Sequence, residues 1–392
     1  MIQSLLSSEI QEFINSNLNA DIAKLALQKN RFPNTDWTFI LNQIAAKQKA
    51  KKKLPTWFMA SNIIYPSKIS VEQTSSERTA EYKSSLVSGS KLIDLTGGFG
   101  VDDFYFAKKI NHVVHCEINE ELSMIVSHNM QQMDVDNIEC LAGESTKILK
   151  DLQQDFDWIY IDPSRRSSFK GKVFMLKDCQ PNVPELLDFY FKFSQNIMIK
   201  TAPILDLSAG LSELKNVKSI HIVALDNEVK ELLWILEKNC SRKIQVVTSN
   251  FTRHETEKFI FEFQNQLVSN YSLPKKYLYE PNAAIMKSGG FKEITQHFEV
   301  TKLHQHSHLY TSDHLIKFPG RIFQIENCFE CNKQNMKSYL EGKKANITTR
   351  NFPETIELIR KKWNISDGGD LYGFFTTAVN ENKIVLLCSK LK

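Results

Sequence analysis

Apolar residues recur at three- and four-residue spacing through the first fifty positions. They fall at Leu5, Ile10, Phe13 and Ile14, then at Trp37, Ile40, Leu41 and Ile44, and predict amphipathic helices. Pro55 and Pro66 bound an irregular segment, and Ser75 or Ser76 opens a further helix that Gly89 stops. From Lys91 the pattern changes. Short apolar runs at 92–95, 112–116, 138–141, 158–161, 197–199 and 220–225 alternate with helical stretches. Strand, helix, strand repeated this often predicts a parallel sheet covered on both faces. Residues 228–250 fit strand or helix equally well. Residues 277–326 read as strand, one helix over 281–298, then strands, with Pro319-Gly320 as a turn. Residues 332–392 read as helix, a strand at 346–349, a helix over 353–363, a Gly368-Gly369 turn and a terminal hairpin of 372–378 and 383–388.

The predicted architecture is therefore α/β. A helical region (1–74) precedes a doubly wound, Rossmann-like sheet domain (75–265), and two small α+β units follow (277–326 and 327–392). Composition leaves this unchanged: of 392 residues, 42% are hydrophobic and 24% charged, which excludes collagen, coiled coil and wholesale disorder. No apolar run reaches the roughly 18 residues of a membrane helix, so no membrane partner is expected. The start of the chain lacks a basic cluster, and Glu9 interrupts its apolar stretch, unlike a secretory signal. Seven scattered cysteines favour a reducing compartment, the cytoplasm.

The net charge is +4, and its distribution is uneven. Residues 327–392 hold 9 lysines and 2 arginines against 7 acidic residues, an excess of +4 in that segment alone. Lys47, Lys49, Lys51, Lys52 and Lys53 form a second cluster, read as a helix end complementing its dipole.

The chemistry sits at strand ends. Doubly wound sheets bind ligands at the carboxyl ends of their strands. The first strand ends in Asp94-Leu-Thr-Gly97-Gly98-Phe99-Gly100, and a helix begins at once. Glycines there let backbone approach a ligand closely. The second strand ends at Glu117-Ile118, and an acid in that place accepts hydrogen bonds from ribose hydroxyls. A dinucleotide would want G-x-G-x-x-G with its pyrophosphate on the helix N-terminus. Here the third glycine is missing, and Asp102 and Asp103 stand where phosphates would lie. S-adenosylmethionine carries a ribose, an ammonium and a sulfonium but no phosphate, and Asp94 suits the ammonium. Phe99 either packs or lines the pocket. The fourth strand ends in Asp162-Pro163-Ser164-Arg165-Arg166, at the catalytic edge. Asp162 and the carbonyls that follow can accept hydrogens from an amine acceptor. Only 9 of the 49 basic residues are arginines, yet two of the nine are adjacent here. Arginine offers a fork for phosphate or a plane for a base.

Taken together, SSERTAEYKSSLV (75–87), DLTGGFGVD (94–102), HCEIN (115–119), DPSRR (162–166), YEPNAAIMKSGG (279–290) and ITTRNFP (347–353) carry a resemblance. Residues 75–250 resemble the class I, Rossmann-like S-adenosylmethionine-dependent methyltransferases. The whole arrangement resembles bacterial members with a ferredoxin-like insert and a C-terminal THUMP-like domain. The resemblance implies a cofactor loop of Asp94, Gly97, Gly98, Phe99 and Gly100, with Glu117 and Ile118 beside the ribose. It also places Gly143 and Glu144 near adenine, Thr79 on the segment closing over the methionine end, and Asp162, Pro163, Arg165 and Arg166 at the acceptor. Thr96 departs from the family's D-x-G-x-G-x-G form. DPSRR also departs from the D-P-P-Y type of amino-methylating enzymes. The D-P-P-R of uridine C5 enzymes is closer, but that chemistry needs a cysteine after the fifth strand, where Lys200-Thr201-Ala202-Pro203 stands.

The implied function is methylation of RNA, with tRNA one candidate. A small-molecule or protein methyltransferase, and a non-catalytic RNA-binding protein with a vestigial fold, are the alternatives. THUMP domains bind RNA, and Lys343, Lys344, Arg350, Arg360, Lys361 and Lys362 near Trp363 and Tyr372 suit RNA phosphates and bases. His304, His306 and His308 would share one strand face, and Cys328-x-x-Cys331 follows. A single C-x-x-C without a second pair does not predict a metal, and none is expected. Cys116, Cys140 and Cys388 read as core residues.

Overall fold

The computed structural model describes residues 2–165, 175–263 and 267–391. The chain forms two compact units, residues 1–217 with 234–240, and residues 218–233 with 241–392.

The first unit opens with short helices. The longest, Trp37–Lys53, starts where the Asp36 carboxylate accepts the Thr38 N–H, and ends on Lys51, Lys52 and Lys53. Those lysines complement the exposed carbonyls of the last turn. Ile40, Ile44, Leu54, Trp57 and Tyr65 are buried in one cluster with Phe99, Phe104 and Val126 of the sheet domain. The sheet consists of β1 (Lys91–Asp94), β2 (His112–Glu117), β3 (Ile138–Ala142), β4 (Phe156–Ile161) and, after the short pair β5 (Ser164–Arg165) and β6 (Cys179–Gln180), β7 (Ser194–Thr201). All five long strands are parallel, in the order β3-β2-β1-β4-β7. Chain direction across the sheet reverses between β1 and β4. That switch point opens a crevice at their carboxyl ends.

In the second unit, β8 (Val217–Leu225) pairs in parallel with β10 (Gln245–Phe251), and β10 pairs antiparallel with β11 (Thr256–Glu262). The stretch 228–250, undecided in sequence, holds β9 (Glu228–Glu237) as well as β10. A seven-stranded sheet follows, ordered β13 (Thr301–Lys302), β14 (Tyr310–Ser312), β12 (Tyr277–Pro281), β15 (Gly320–Glu330), β18 (Lys383–Lys390), β17 (Leu371–Thr377) and β16 (Asn346–Arg350). The helix expected over 281–298 is two helices, Ala283–Ser288 and Phe291–His297. Gly289 separates them at φ 70°, a conformation that ends a helix. The terminal hairpin forms as expected, and the strand expected at 346–349 runs on to Arg350.

Candidate active site

The glycine loop is held by backbone and side chain alike. Gly97 N–H donates to the Cys116 carbonyl at 2.8 Å, and Gly100, at φ 73°, begins helix Val101–Ala107. A Cβ on Gly97 would stand 2.1 Å from the His115 ring, so no larger residue fits. Glu117 reaches across from β2. One of its oxygens accepts the Gly98 N–H at 3.0 Å and the other the Asn119 N–H at 2.8 Å. Each oxygen keeps a lone pair, and the side chain is partly exposed. Ile118 beside it is 70% exposed. Gly143 N–H donates to the Glu117 carbonyl at 2.9 Å, which ties the end of β3 to this rim. The Glu144 carboxylate caps helix Ser145–Leu152 through the Thr146 and Lys147 N–H groups.

Beneath the loop lies a buried charged cluster. Asp94 is 1% exposed, and its Oδ1 accepts both the Thr96 N–H at 2.7 Å and the Thr96 hydroxyl at 3.1 Å. Its carboxyl supports the loop from below rather than facing out of it. Burial, reinforced by the nearby Asp103 charge, pushes the Asp94 carboxyl well above the usual carboxylate range. Burial does the same to Asp103, with the Asp102 charge adding to it. Asp103 Oδ2 lies 2.7 Å from His115 Nδ1, both side chains being fully buried. Burial lowers the His115 pKa. Asp102 goes the other way. Burial opposes its charge, but Lys83, Lys200 and hydrogen bonds from Tyr160 and Ser75 outweigh burial and hold it below the usual range. Lys83 Nζ sits 3.2 Å from Asp102 Oδ1 with its own side chain fully buried, and the Tyr160 hydroxyl donates to Oδ2 at 2.7 Å. An ionised aspartate at the first turn of this helix disfavours a phosphate there.

At the switch point β1 and β4 are joined directly. The Thr96 hydroxyl accepts the Asp162 N–H at 2.7 Å while donating to Asp94. This is the physical content of a threonine where the common form has glycine. Lys200, the penultimate residue of β7, donates to the Asp162 carboxylate. Pro163 is buried, and Ser164 and Arg165 pair with Gln180 and Cys179. Arg166 lies outside the described residues. Thus Thr96, Gly98, Glu117, Asp162 and Lys200 gather around the carboxyl ends of β1, β2, β4 and β7.

Thr79 stands apart from this set. It is buried, and its hydroxyl donates to the Ser76 carbonyl at 2.9 Å in the first turn of helix Glu77–Ser84. Phe99 packs: its ring lies 6.3 Å from Trp57 and 6.1 Å from Tyr65. Lys200, Lys83 and Tyr160 are not identifiable from sequence spacing. Lys200 did leave a signal, a lone cation closing the apolar run Ile197-Met198-Ile199. Lys83 left none, because a helical lysine reads as solvated.

Three expectations for the second unit are corrected. His304, His306 and His308 lie on the connection between β13 and β14, not on one strand face. His304 Nε2 meets Glu381 Oε1 at 3.1 Å, and His308 stacks on Phe291 with ring centroids 3.7 Å apart. Among the described residues no three His, Cys, Asp or Glu side chains converge as metal ligands. Trp363 is buried core, not an exposed platform. Arg360 is occupied by the Ala345 and Ile365 carbonyls and by Asp367.

Comparison with known proteins bears on the fold. A family model of a ferredoxin-like domain matches residues 277–319, and a THUMP domain-like model matches residues 320–390. The crystal structure of an inferred methyltransferase from Porphyromonas gingivalis W83 superposes with a TM-score of 0.87 at 29% identity, covering 100% of this chain and 99% of that one. The chain resembles the Rossmann-like methyltransferases that carry ferredoxin-like and THUMP-like domains. Two structures with bound S-adenosylhomocysteine are similar over part of the chain. They are M. capricolum TrmK (TM-score 0.33, 13% identity, 45% of this chain and 70% of that one) and a Bacillus cereus O-methyltransferase (0.35, 11%, 61% and 100%). Scores below 0.5 carry no inference. No curated protein sequence matches the chain. Among the described residues no helix is long and apolar enough to cross a membrane.

Proposed function

We propose that this chain transfers a methyl group from S-adenosylmethionine to RNA. The observation that carries the reading is Glu117. Its carboxylate is fixed by two backbone N–H groups at the glycine loop, with a free lone pair on each oxygen for a ribose hydroxyl. Ile118 offers an exposed apolar surface next to it for a base. Gly97 and Gly98 supply backbone without side chains, and the ionised Asp102 disfavours a phosphorylated cofactor. These residues fit S-adenosylmethionine, which when bound supplies a methyl group on a sulfonium for in-line displacement.

The chain's own share is alignment and proton handling. Asp162 faces the acceptor from the end of β4. Lys200 clamps its carboxylate from β7, and Thr96 fixes its backbone. An acceptor amine that loses a proton on methylation can pass it to Asp162. RNA as substrate is supported by the THUMP-like match and by the +4 excess of residues 327–392.

The test is nucleoside mass spectrometry on RNA from a strain lacking the gene and from the same strain complemented. A methylated nucleoside present only after complementation with the wild-type gene is expected. Identical nucleoside profiles would remove RNA as the substrate.

A further inference from the structure

We propose that Arg321 and Arg350, held in place by the buried Glu280 carboxylate, form a binding site for the phosphodiester backbone of RNA. The inference rests on the RNA reading above and gives it a location away from the lysine-rich surface. Glu280 and Arg321 are directly opposed in the β12/β15 ladder, and Arg350 closes β16, 70 residues further along the chain. The stretches 279–290 and 347–353, separate in sequence, therefore meet through one carboxylate. Arg321 Nε donates to Glu280 Oε2 at 2.6 Å with Nη2 alongside, and Arg350 Nη2 donates to Oε1 at 2.9 Å.

Exposure separates a ligand site from an internal tie. The Glu280 side chain is only 4% exposed, whereas those of Arg321 and Arg350 are 39% and 37% exposed. One buried carboxylate needs one cation for neutrality; here it holds two, and both turn free surface outward. Each guanidinium has five N–H donors, of which Glu280 takes only some. Arg350 Nε is buried and turned inward, so the outward surface of Arg350 lies on the rest of its side chain. The Arg321 guanidinium also lies 5.5 Å over the Phe323 ring, which restrains it further. Two forks fixed on regular strands match phosphate oxygens with little side-chain entropy left to lose.

The surroundings are positive as well. Burial holds the His308 pKa down at about 4, and the Lys302 and Arg350 charges add to it. Lys302 Nζ donates to the Gln305 carbonyl at 2.7 Å and lies over the Phe291 ring. Glu381 is paired with His304.

The test uses the full-length chain and fluorescently labelled tRNA, read by anisotropy across a salt series. The variants are Arg321→Gln, Arg350→Gln and Arg350→Lys, with Lys24→Gln as a matched removal of charge elsewhere. Thermal unfolding and S-adenosylhomocysteine affinity report folding. Removing one arginine–phosphate interaction lowers the slope of log affinity against log salt by roughly 0.7–0.9, which at about 0.1 M salt is a five- to eightfold weakening. Each glutamine variant is expected to show that weakening, and Arg350→Lys an intermediate affinity with a near wild-type slope. If wild type binds tRNA and both glutamine variants match Lys24→Gln, this site is overturned and the RNA reading stands. If wild type binds no tRNA, both fall. Should the glutamine variants not fold, Arg350→Lys decides: folded and binding at wild-type strength, it overturns the fork.

Discussion

Single side chains carry the cofactor and acceptor assignments, and each separates from its neighbours by experiment. Glu117→Ala removes the acceptor of the Gly98 and Asn119 N–H groups and the proposed acceptor of the ribose hydroxyls. Calorimetry with S-adenosylhomocysteine should show a loss of about 1.5–3 kcal/mol, the range for hydrogen bonds to a charged group. Unchanged affinity would displace Glu117 from the site. Asp162→Ala should abolish methyl transfer while cofactor affinity stays within a few-fold, because Asp162 is proposed to serve the acceptor. Lys200→Gln should lower turnover in the same sense and leave cofactor affinity similar. A parallel loss of binding and turnover in either variant would make that residue a cofactor ligand. Asp94 illustrates what a motif alone leaves open. The sequence places an acid beside the loop; only its burial and the two bonds from Thr96 show a support under the loop.

At the scale of elements, the loop and helix Val101–Ala107 stand on buried charges that must be balanced in place. Lys83→Met leaves Asp102 buried without its closest cation and should cost about 3–5 kcal/mol in urea unfolding. Lys83→Met with Asp102→Leu should recover much of that, since an apolar pair of similar volume leaves no orphaned charge. Asp103 gives a pH signature. Its folded pKa is raised, so its contribution to stability is full below the ordinary carboxylate pKa and declines as pH rises towards the folded value. Asp103→Asn should therefore fall short of wild type by a margin that shrinks as pH rises from about 4 to 8. A margin that grows would reverse the assignment. The parallel strands and the ends bearing Asp94, Glu117 and Asp162 were legible because buried parallel strands read as apolar runs with polar ends. The cluster beneath was not. Lys83 and Tyr160 meet Asp102 from elements 19 and 58 residues away in sequence, and no local spacing encodes such a meeting. The single helix expected over 281–298 failed for a local reason: Gly289 adopts a left-handed conformation within an otherwise helical pattern.

For the molecule as a whole, we propose that the sheet domain holds the cofactor and the C-terminal domains bind RNA. Arg360 and Trp363, buried or bonded internally, leave Lys343, Lys344, Lys361 and the Glu354-paired Lys362 as exposed cations of the THUMP-like domain's basic stretch. Replacing Lys343 and Lys344 together by Gln should weaken tRNA binding and reduce the salt slope by roughly 0.7–0.9 for each phosphate that is no longer neutralised. A fixed slope would assign those lysines to solvent. The most direct test of the central claim is transfer of tritiated methyl from S-adenosylmethionine to bulk RNA from a strain lacking the gene, using purified wild-type chain and the Asp162→Ala variant side by side. Label should enter RNA with the wild type and stay at background with the variant. Label absent with both, or equal with both, would contradict it.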